Sequence, residues 1–489
     1  MSNWFFKKFR RGRNGRRIKE EVTIFLIFFL FSQTLRWAYC YNGPANNVDE
    51  AYSIVYGLDN NIYAVGWSEG RYARDFTVIS ITADGRERWV YRYDGPGNWD
   101  DYGWDIAYGL DNNIYAAGWS WGTCDDITVI SITSDGRERW VYRYDGPANF
   151  YDLAHSIVYG LDNNIYVTGG IWDTTTPNFV VISLDTNGNE RWFYRSRAGT
   201  GGWDIVYGLD NNIYAGGGGF TVISLDTNGN ERWVYRYNND EVRSIAYGLD
   251  NNIYAAGRSY YDSITRYDIT VISLDTNGNE RWFYRYCNVG SRDYAFSIAY
   301  GLDNNIYVAG VVYDSITRYD IVVISLDRDG NERWVYRYNQ PGNFSEYALS
   351  IAYGLDNNIY VAGQTSGIFT IISLDTNGRE RWIYRYFTPP DHHVPSSGLA
   401  YSIVYGLDNN IYAGGYIRGY YTSCDFTVIS LNPEVGIKEK VRGEKILSTP
   451  YKAKEIYDIT GKKIKDLRRI KKGIYFFKDK YFKKVIILN

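Results

Sequence analysis

Seven tryptophans stand out for the chemistry they could support: Trp67, Trp99, Trp104, Trp119, Trp121, Trp172 and Trp203. They lie among Asp, Asn and Gly residues. A flat indole stacks on the apolar face of a pyranose while carboxylates and amides bind its hydroxyls, so this mixture suits a sugar platform. The same rings serve equally well as packing between loops, and both readings stay open. Other reactive groups are sparse. The 489 residues include three His. His155 stands alone; His392-His393 beside Asp391 could ligate a metal, act as a base, or be ordinary polar loop. Asp226-Thr-Asn-Gly-Asn-Glu231 sets oxygens at alternating positions, as calcium loops do, but a bulged hairpin turn needs the same residues and the distal bidentate Glu is missing. Asp100 and Asp105 could serve a glycosidase, which needs two carboxylates at a defined separation. With 56 acids in the chain, such a pair carries little information. No Gly-x-Ser-x-Gly, Cys-x-x-Cys or phosphate loop sits in a suitable context. No catalytic residue is assigned, and no cofactor is expected unless the calcium reading holds.

These residues must be positioned by a repeat. Tyr-Gly-Leu-Asp-Asn-Asn-Ile-Tyr begins at Tyr56, Tyr108, Tyr159, Tyr207, Tyr247, Tyr300, Tyr353 and Tyr405, at intervals of 40 to 53 residues. Each copy reads as four short strands: A (Ser53 to Tyr56 in the first), B (Ile62 to Gly66), C (Phe76 to Ile81) and D (Glu87 to Tyr93). Asp185-Thr-Asn-Gly-Asn189 looks like a three-residue hairpin loop with Gly188 left-handed. No helical periodicity interrupts the array, so the class is all-β. Four strands per period of this length make a propeller blade, and eight copies predict an eight-bladed β-propeller over residues 36–432.

The ends of the array fit one another. The eighth copy breaks off at Asn432-Pro433, before its strand D. Arg36-Trp-Ala-Tyr-Cys-Tyr-Asn-Gly-Pro44 matches Arg88-Trp-Val-Tyr-Arg-Tyr-Asp-Gly-Pro96 except at three positions. The N-terminal segment is therefore expected to supply the missing strand and close the ring. Cys40 on that strand and Cys424 before the last strand C then fall on one side of a hairpin, a candidate disulfide; Cys124 and Cys287 belong to distant blades. The turns A–B and C–D are near-identical in all copies, whereas the B–C and D–A connections differ. Variation on one face of a rigid scaffold marks the binding face, and the seven Trp lie in or beside those connections.

Residues 1–35 begin with eight Lys/Arg and then a ten-residue apolar run, Val22 to Phe31. That order is a signal peptide's, and the run is too short for a membrane-spanning helix, so no transmembrane span is expected in the mature form. Residues 433–489 carry a net charge of +10 and the leader +6, so the near-neutral total of −3 conceals a propeller at −19. Such an acidic ring excludes nucleic acid as a partner, because phosphate binding needs clustered Lys/Arg.

Asp-Ile-Ala-Tyr-Gly-Leu-Asp-Asn-Asn-Ile-Tyr-Ala-Ala-Gly (Asp105 to Gly118) resembles the bacterial SBBP repeats, with Asp-Asn-Asn where that family usually has Gly-Asn. The resemblance covers roughly residues 36 to 432 and implies a propeller in a secreted or outer-surface protein, with no common catalytic motif. Ile456-Tyr-Asp-Ile-Thr-Gly-Lys-Lys463, Lys472-Gly-Ile-Tyr-Phe-Phe477 and Lys483-Lys-Val-Ile-Ile-Leu488 resemble the type A C-terminal sorting domain of type IX secretion substrates. That resemblance implies a small β-sandwich-like domain over 433–489, read by export machinery. Quinone-dependent dehydrogenases are also eight-bladed and Trp-rich, but their adjacent Cys pair has no counterpart here. The expected function is non-catalytic binding of a polysaccharide or a surface protein on the variable face. A propeller-type polysaccharide lyase or glycoside hydrolase, and a purely structural surface protein, are the alternatives.

Overall fold

The computed structural model describes residues 35–433, apart from short loop stretches, and four strands between 455 and 488. Residues 1–34, where a signal peptide is expected, and the His392-His393 pair lie outside the described residues. Residues 35–431 form eight four-stranded antiparallel sheets. Seven are made of consecutive strands, as in the first blade: A Asp49–Tyr56, B Asn61–Glu69, C Arg74–Thr82 and D Glu87–Tyr93. The eighth is closed by Leu35–Tyr41, which pairs antiparallel with Cys424–Leu431 as expected. The strands near the C-terminus form one antiparallel sheet in which Glu455–Asp458 lies between Lys463–Ile464 and Gly473–Lys478.

Each residue of the repeat has a physical task. At the A–B turn Asn60 takes a left-handed φ of 61°, which Asn tolerates, and the Gly57 N–H donates to Asn61 O at 2.8 Å. The Asp59 carboxylate accepts from the hydroxyl of buried Tyr63 (2.6 Å) and from the Asn61 side chain (2.8 Å). Arg88 on strand D donates to Tyr63 (3.0 Å) and Ser80 (2.9 Å), so one guanidinium ties strands B, C and D together. The C–D turn has the expected geometry, with Gly188 at φ 85° and a bulge in the register beside it.

Blades are joined by eight apolar clusters, each built from strands B and C of one blade and strands A, B and C of the next. One holds Tyr63, Val65, Phe76 and Val78 against Ile106, Ile114, Ala116 and Ile130. Two hydrogen bonds cross the outer part of most seams. Trp89 Nε1 donates to Ser134 O of the following blade at 3.0 Å, and Tyr91 donates to Glu138 at 2.5 Å. Their equivalents recur at seven of the eight seams, from Trp37 with Ala83 and Tyr39 with Glu87 to Trp334 with Thr376 and Tyr336 with Glu380. The exception is the seam between blades 7 and 8. Leu35 stands where the Glu would be, and buried Trp382 Nε1 has no partner among the described residues.

Strand A is longer than the sequence pattern indicates, starting at Asp49 where Ser53 is expected. A bulge in every strand A causes this: the register skips Tyr52 between Ala51 and Ser53. One extra residue shifts the inward alternation and hides the first half of the strand from a period-two reading. The proposed disulfide is also corrected. Cys40 stands opposite Thr427, whose hydroxyl donates to its Sγ at 3.7 Å, and Cys40 is a free thiol. Cys424 lies three residues away along the strand, roughly 10 Å at strand rise, beyond the Cα separation a disulfide spans. Cys124 and Cys287 are free, as expected.

Candidate functional site

The D–A connection of blade 2 is held down by Asp101, the first residue of strand A. Its carboxylate accepts from Gly95 N (2.7 Å) and from Trp121 N (3.0 Å) at the end of strand B. Gly97 N donates to Trp121 O at 3.1 Å, which closes the loop onto the strand. Trp119 and Trp121 are two apart on strand B and share a face, and Asp125, opening strand C, is the register partner of Trp121. Trp99 rides on the loop above them, 64% exposed, with its ring 6.2 Å from that of Trp121 at 45°. Together Trp99, Asp100, Trp119, Trp121 and Asp125 line a cleft of ≈ 370 Å³ on the variable face. Trp119 is backed by Tyr102, 4.3 Å between centroids.

The two carboxylates in the cleft differ. Asp100 accepts from Arg74 N at 3.1 Å and faces the Arg74 guanidinium at 3.6 Å, so blade 1 compensates its charge. Asp125 is 7% exposed and makes no side-chain hydrogen bond or ion pair among the described residues. Burial pushes its pKa up to about 6, with further contributions from the charges of Asp126 and Asp100. Asp126 beside it pairs through one oxygen with Arg143.

The other four tryptophans of the predicted set do not join this cleft. Trp67 is 3% exposed, donates to Tyr52 at 3.0 Å and carries the Arg74 guanidinium 4.5 Å above its ring. Trp104 and Trp203 occupy the bulge position of strand A in blades 2 and 4, where Tyr52, His155, Arg243 and Tyr401 are their counterparts. These side chains tile around the axis. Tyr401 contacts Tyr52 (5.0 Å), Tyr52 stacks on Trp104 (4.6 Å), and His155 stacks on Trp203 (4.3 Å). Arg243 covers the ring of Trp203 at 4.2 Å. Trp203 is thus sandwiched between an imidazole and a guanidinium, and it packs instead of offering a platform. Trp172 ends strand B of blade 3, half-buried, its backbone N–H held by Asp152 at 3.1 Å.

The remaining chemical candidates resolve into structure. His155 Nδ1 meets Gly202 O at 2.8 Å, and burial, with Arg243 nearby, drives its pKa down to about 4, so the imidazole is neutral. Asp105 does not meet Asp100. It accepts from Ser53 and Ser156 (2.8 Å each) and from the N–H groups of Ile106 and Ile157 (2.9 and 3.0 Å), a belt around the axis that continues to Asp204. With its oxygens so committed, it serves the scaffold. The Asp226 oxygens are taken by Asn228 N (2.8 Å), Asn230 N (2.9 Å) and the Asn230 side chain (2.9 Å). Among the described residues no group of three His, Cys, Asp or Glu could hold a metal. Gly66 to Gly70 and Gly118 to Gly122 spell the serine-hydrolase pattern, but Ser68 and Ser120 are fully buried and bonded to Thr77 and Thr128.

Asp125 was not picked out by sequence reasoning. A signal existed: at the position opening strand C, other blades carry Arg74, Pro177, Tyr267 and Tyr319, and only blade 2 among these has an acid.

No family model matches the sequence, and no curated protein matches it. Solved structures do. BamB from Moraxella catarrhalis is similar at 15% identity, over 80% of this chain and 98% of that one, with a TM-score of 0.48. Quinohemoprotein alcohol dehydrogenase from Comamonas testosteroni is similar at 13% identity, over 82% of this chain and 78% of that one, with a TM-score of 0.53. At 13% identity the likeness to the dehydrogenase is one of fold alone, and it agrees with the propeller read from the sequence.

Proposed function

We propose that this chain is an exported, non-catalytic propeller that binds a polysaccharide on its variable face, in the cleft of blade 2. The observation that carries this is the grouping of Trp99, Trp119 and Trp121 with two carboxylates around one cleft. Indole faces and acidic acceptors in one concavity suit a pyranose. Export to the outer surface is supported by the signal-peptide pattern, by the likeness to SBBP repeats, and by the sorting-domain motifs after Pro433.

The test is a glycan array on the whole mature protein, with Trp99→Ala and Trp121→Ala as comparisons. Binding by the parent that either variant loses supports the reading. Silence on all glycans defeats it and favours a protein ligand or a structural surface role. A second reading, a polysaccharide lyase or glycoside hydrolase, draws on Asp100 and Asp125 sharing the cleft in different environments. Shortened products after incubation with any bound glycan would establish turnover and replace the binding reading.

A further inference from the structure

We infer that the blade 2 cleft selects a polysaccharide bearing free amino groups, with the sugar ammonium held between the indole faces and the Asp125 carboxylate. This rests on the polysaccharide reading above and narrows its ligand class.

Three observations lead here. First, the cleft is lined by Trp99, Trp119 and Trp121 with Asp100 and Asp125, and no Lys or Arg is among its lining residues. An acidic sugar would face the Asp125 carboxylate there, whereas a cation near a Trp face is attracted by the ring quadrupole. Second, Asp125 is 7% exposed and makes no side-chain hydrogen bond or ion pair among the described residues. The acid one residue further along strand C does have an arginine in four blades: Asp75 pairs with Arg92, Asp126 with Arg143, Asp268 with Arg285 and Asp320 with Arg337. A buried carboxylate is costly unless it is paired and hydrogen-bonded, and a ligand ammonium supplies three donors and the opposite charge. Third, the propeller carries −19, so a polycation is drawn to it from a distance. A 2-amino pyranose fits this arrangement because its ring has an apolar face for an indole and its ammonium lies at the rim.

The test is titration of the full mature protein with a glucosamine hexamer, its N-acetylated counterpart, a neutral glucose hexamer and hexalysine, followed by Trp fluorescence or calorimetry. The amine-bearing sugar is expected to bind at least roughly tenfold tighter than the N-acetylated one, the scale of one charge-assisted contact. Asp125→Asn should erase that margin, so that the amine-bearing and N-acetylated sugars bind the variant alike. In the unaltered protein the margin should shrink as salt is raised. Equal binding of the two sugars would overturn this inference and leave the polysaccharide reading standing. No binding of any sugar would overturn both. Hexalysine binding as tightly as the amino sugar would overturn the sugar specificity.

Discussion

The indole of Trp89 lies against the Cα of Gly136 in the next blade, so close that a Cβ there would stand 2.6 Å from the ring. Gly136 also has φ 91°, a backbone state that L side chains rarely adopt. Its equivalents meet the indole of the preceding blade in the same way, as Gly188 meets Trp140 and Gly229 meets Trp192. The conserved-looking Gly of the turn is therefore half turn requirement and half docking surface.

These two demands can be separated. Gly136→Ala meets both backbone strain and a clash, and should cost about 2–4 kcal/mol, combining a left-handed residue with overpacking. Gly367→Ala, at φ 73° with nothing within 4 Å, meets strain alone and should cost about 1–2 kcal/mol. Denaturant unfolding measures both; equal costs would show that the indole contact contributes nothing.

The seam between blades 7 and 8 should be the weakest. Trp382 is 9% exposed and its Nε1 has no partner among the described residues, whereas Trp89 donates across its seam. Trp89→Phe should lose about 1 kcal/mol of hydrogen bonding beyond the packing change, while Trp382→Phe loses no such bond. Thermal melts of the pair would decide, and an equal penalty at both sites would contradict this account of the closing seam.

Stability should peak in mildly acid solution. Burial raises Asp101 to about 7 and Asp49 and Asp152 to about 6, despite the backbone N–H groups each accepts from. A carboxyl raised in the folded state favours folding fully below its ordinary value of 3.8, and that contribution is lost as pH rises through 6 to 7. The turn carboxylates act oppositely. In Asp226, burial raises the pKa but is outweighed by the hydrogen bonds from Asn230 and Asn228, so its contribution is lost as pH falls through its lowered value. A thermal midpoint that falls from pH 5 to pH 8, and falls again at strongly acid pH, is expected. A midpoint that rises steadily to pH 8 would refute it.

All thiols among the described residues should be reduced. Cys40, Cys124 and Cys287 are free. Burial raises the Cys40 pKa, and the hydrogen bond from Thr427 offsets this in part. Alkylation of the denatured protein without reductant, followed by peptide mass analysis, should find Cys40 modified. A Cys40–Cys424 cross-linked peptide would show that the closing strand pairs in a different register.

Much of the scaffold was legible because its requirements are local and stated eight times. The Asp-Asn-Asn turn, the Gly of the C–D hairpin and the Arg36-to-Pro44 strand each announce their conformation in a few residues. The strand A bulge was not legible. One inserted residue in strand A leaves no mark in composition, yet it sets Trp104 against Tyr52 and Trp203 against His155 instead of in the blade 2 cleft. Three of the seven tryptophans gathered at one cleft. Their partner Asp125 was hidden because its importance comes from lacking the arginine its neighbours have, a property of packing across a hairpin.

The pairing of Leu35 with Leu431 also sets an order on how the molecule is made. The residues that finish the last blade are synthesised before every other strand of the ring and wait for nearly the whole array. Closing so long a loop carries a large entropic cost before any contact across it forms, so the ring snaps shut last. Until then the strand Cys424–Leu431 presents a bare hydrogen-bonding edge to any other chain. A copy clipped at its first strand keeps that edge permanently. Its expected fate is chain-to-chain exchange, in which one molecule's leading strand completes the ring of another.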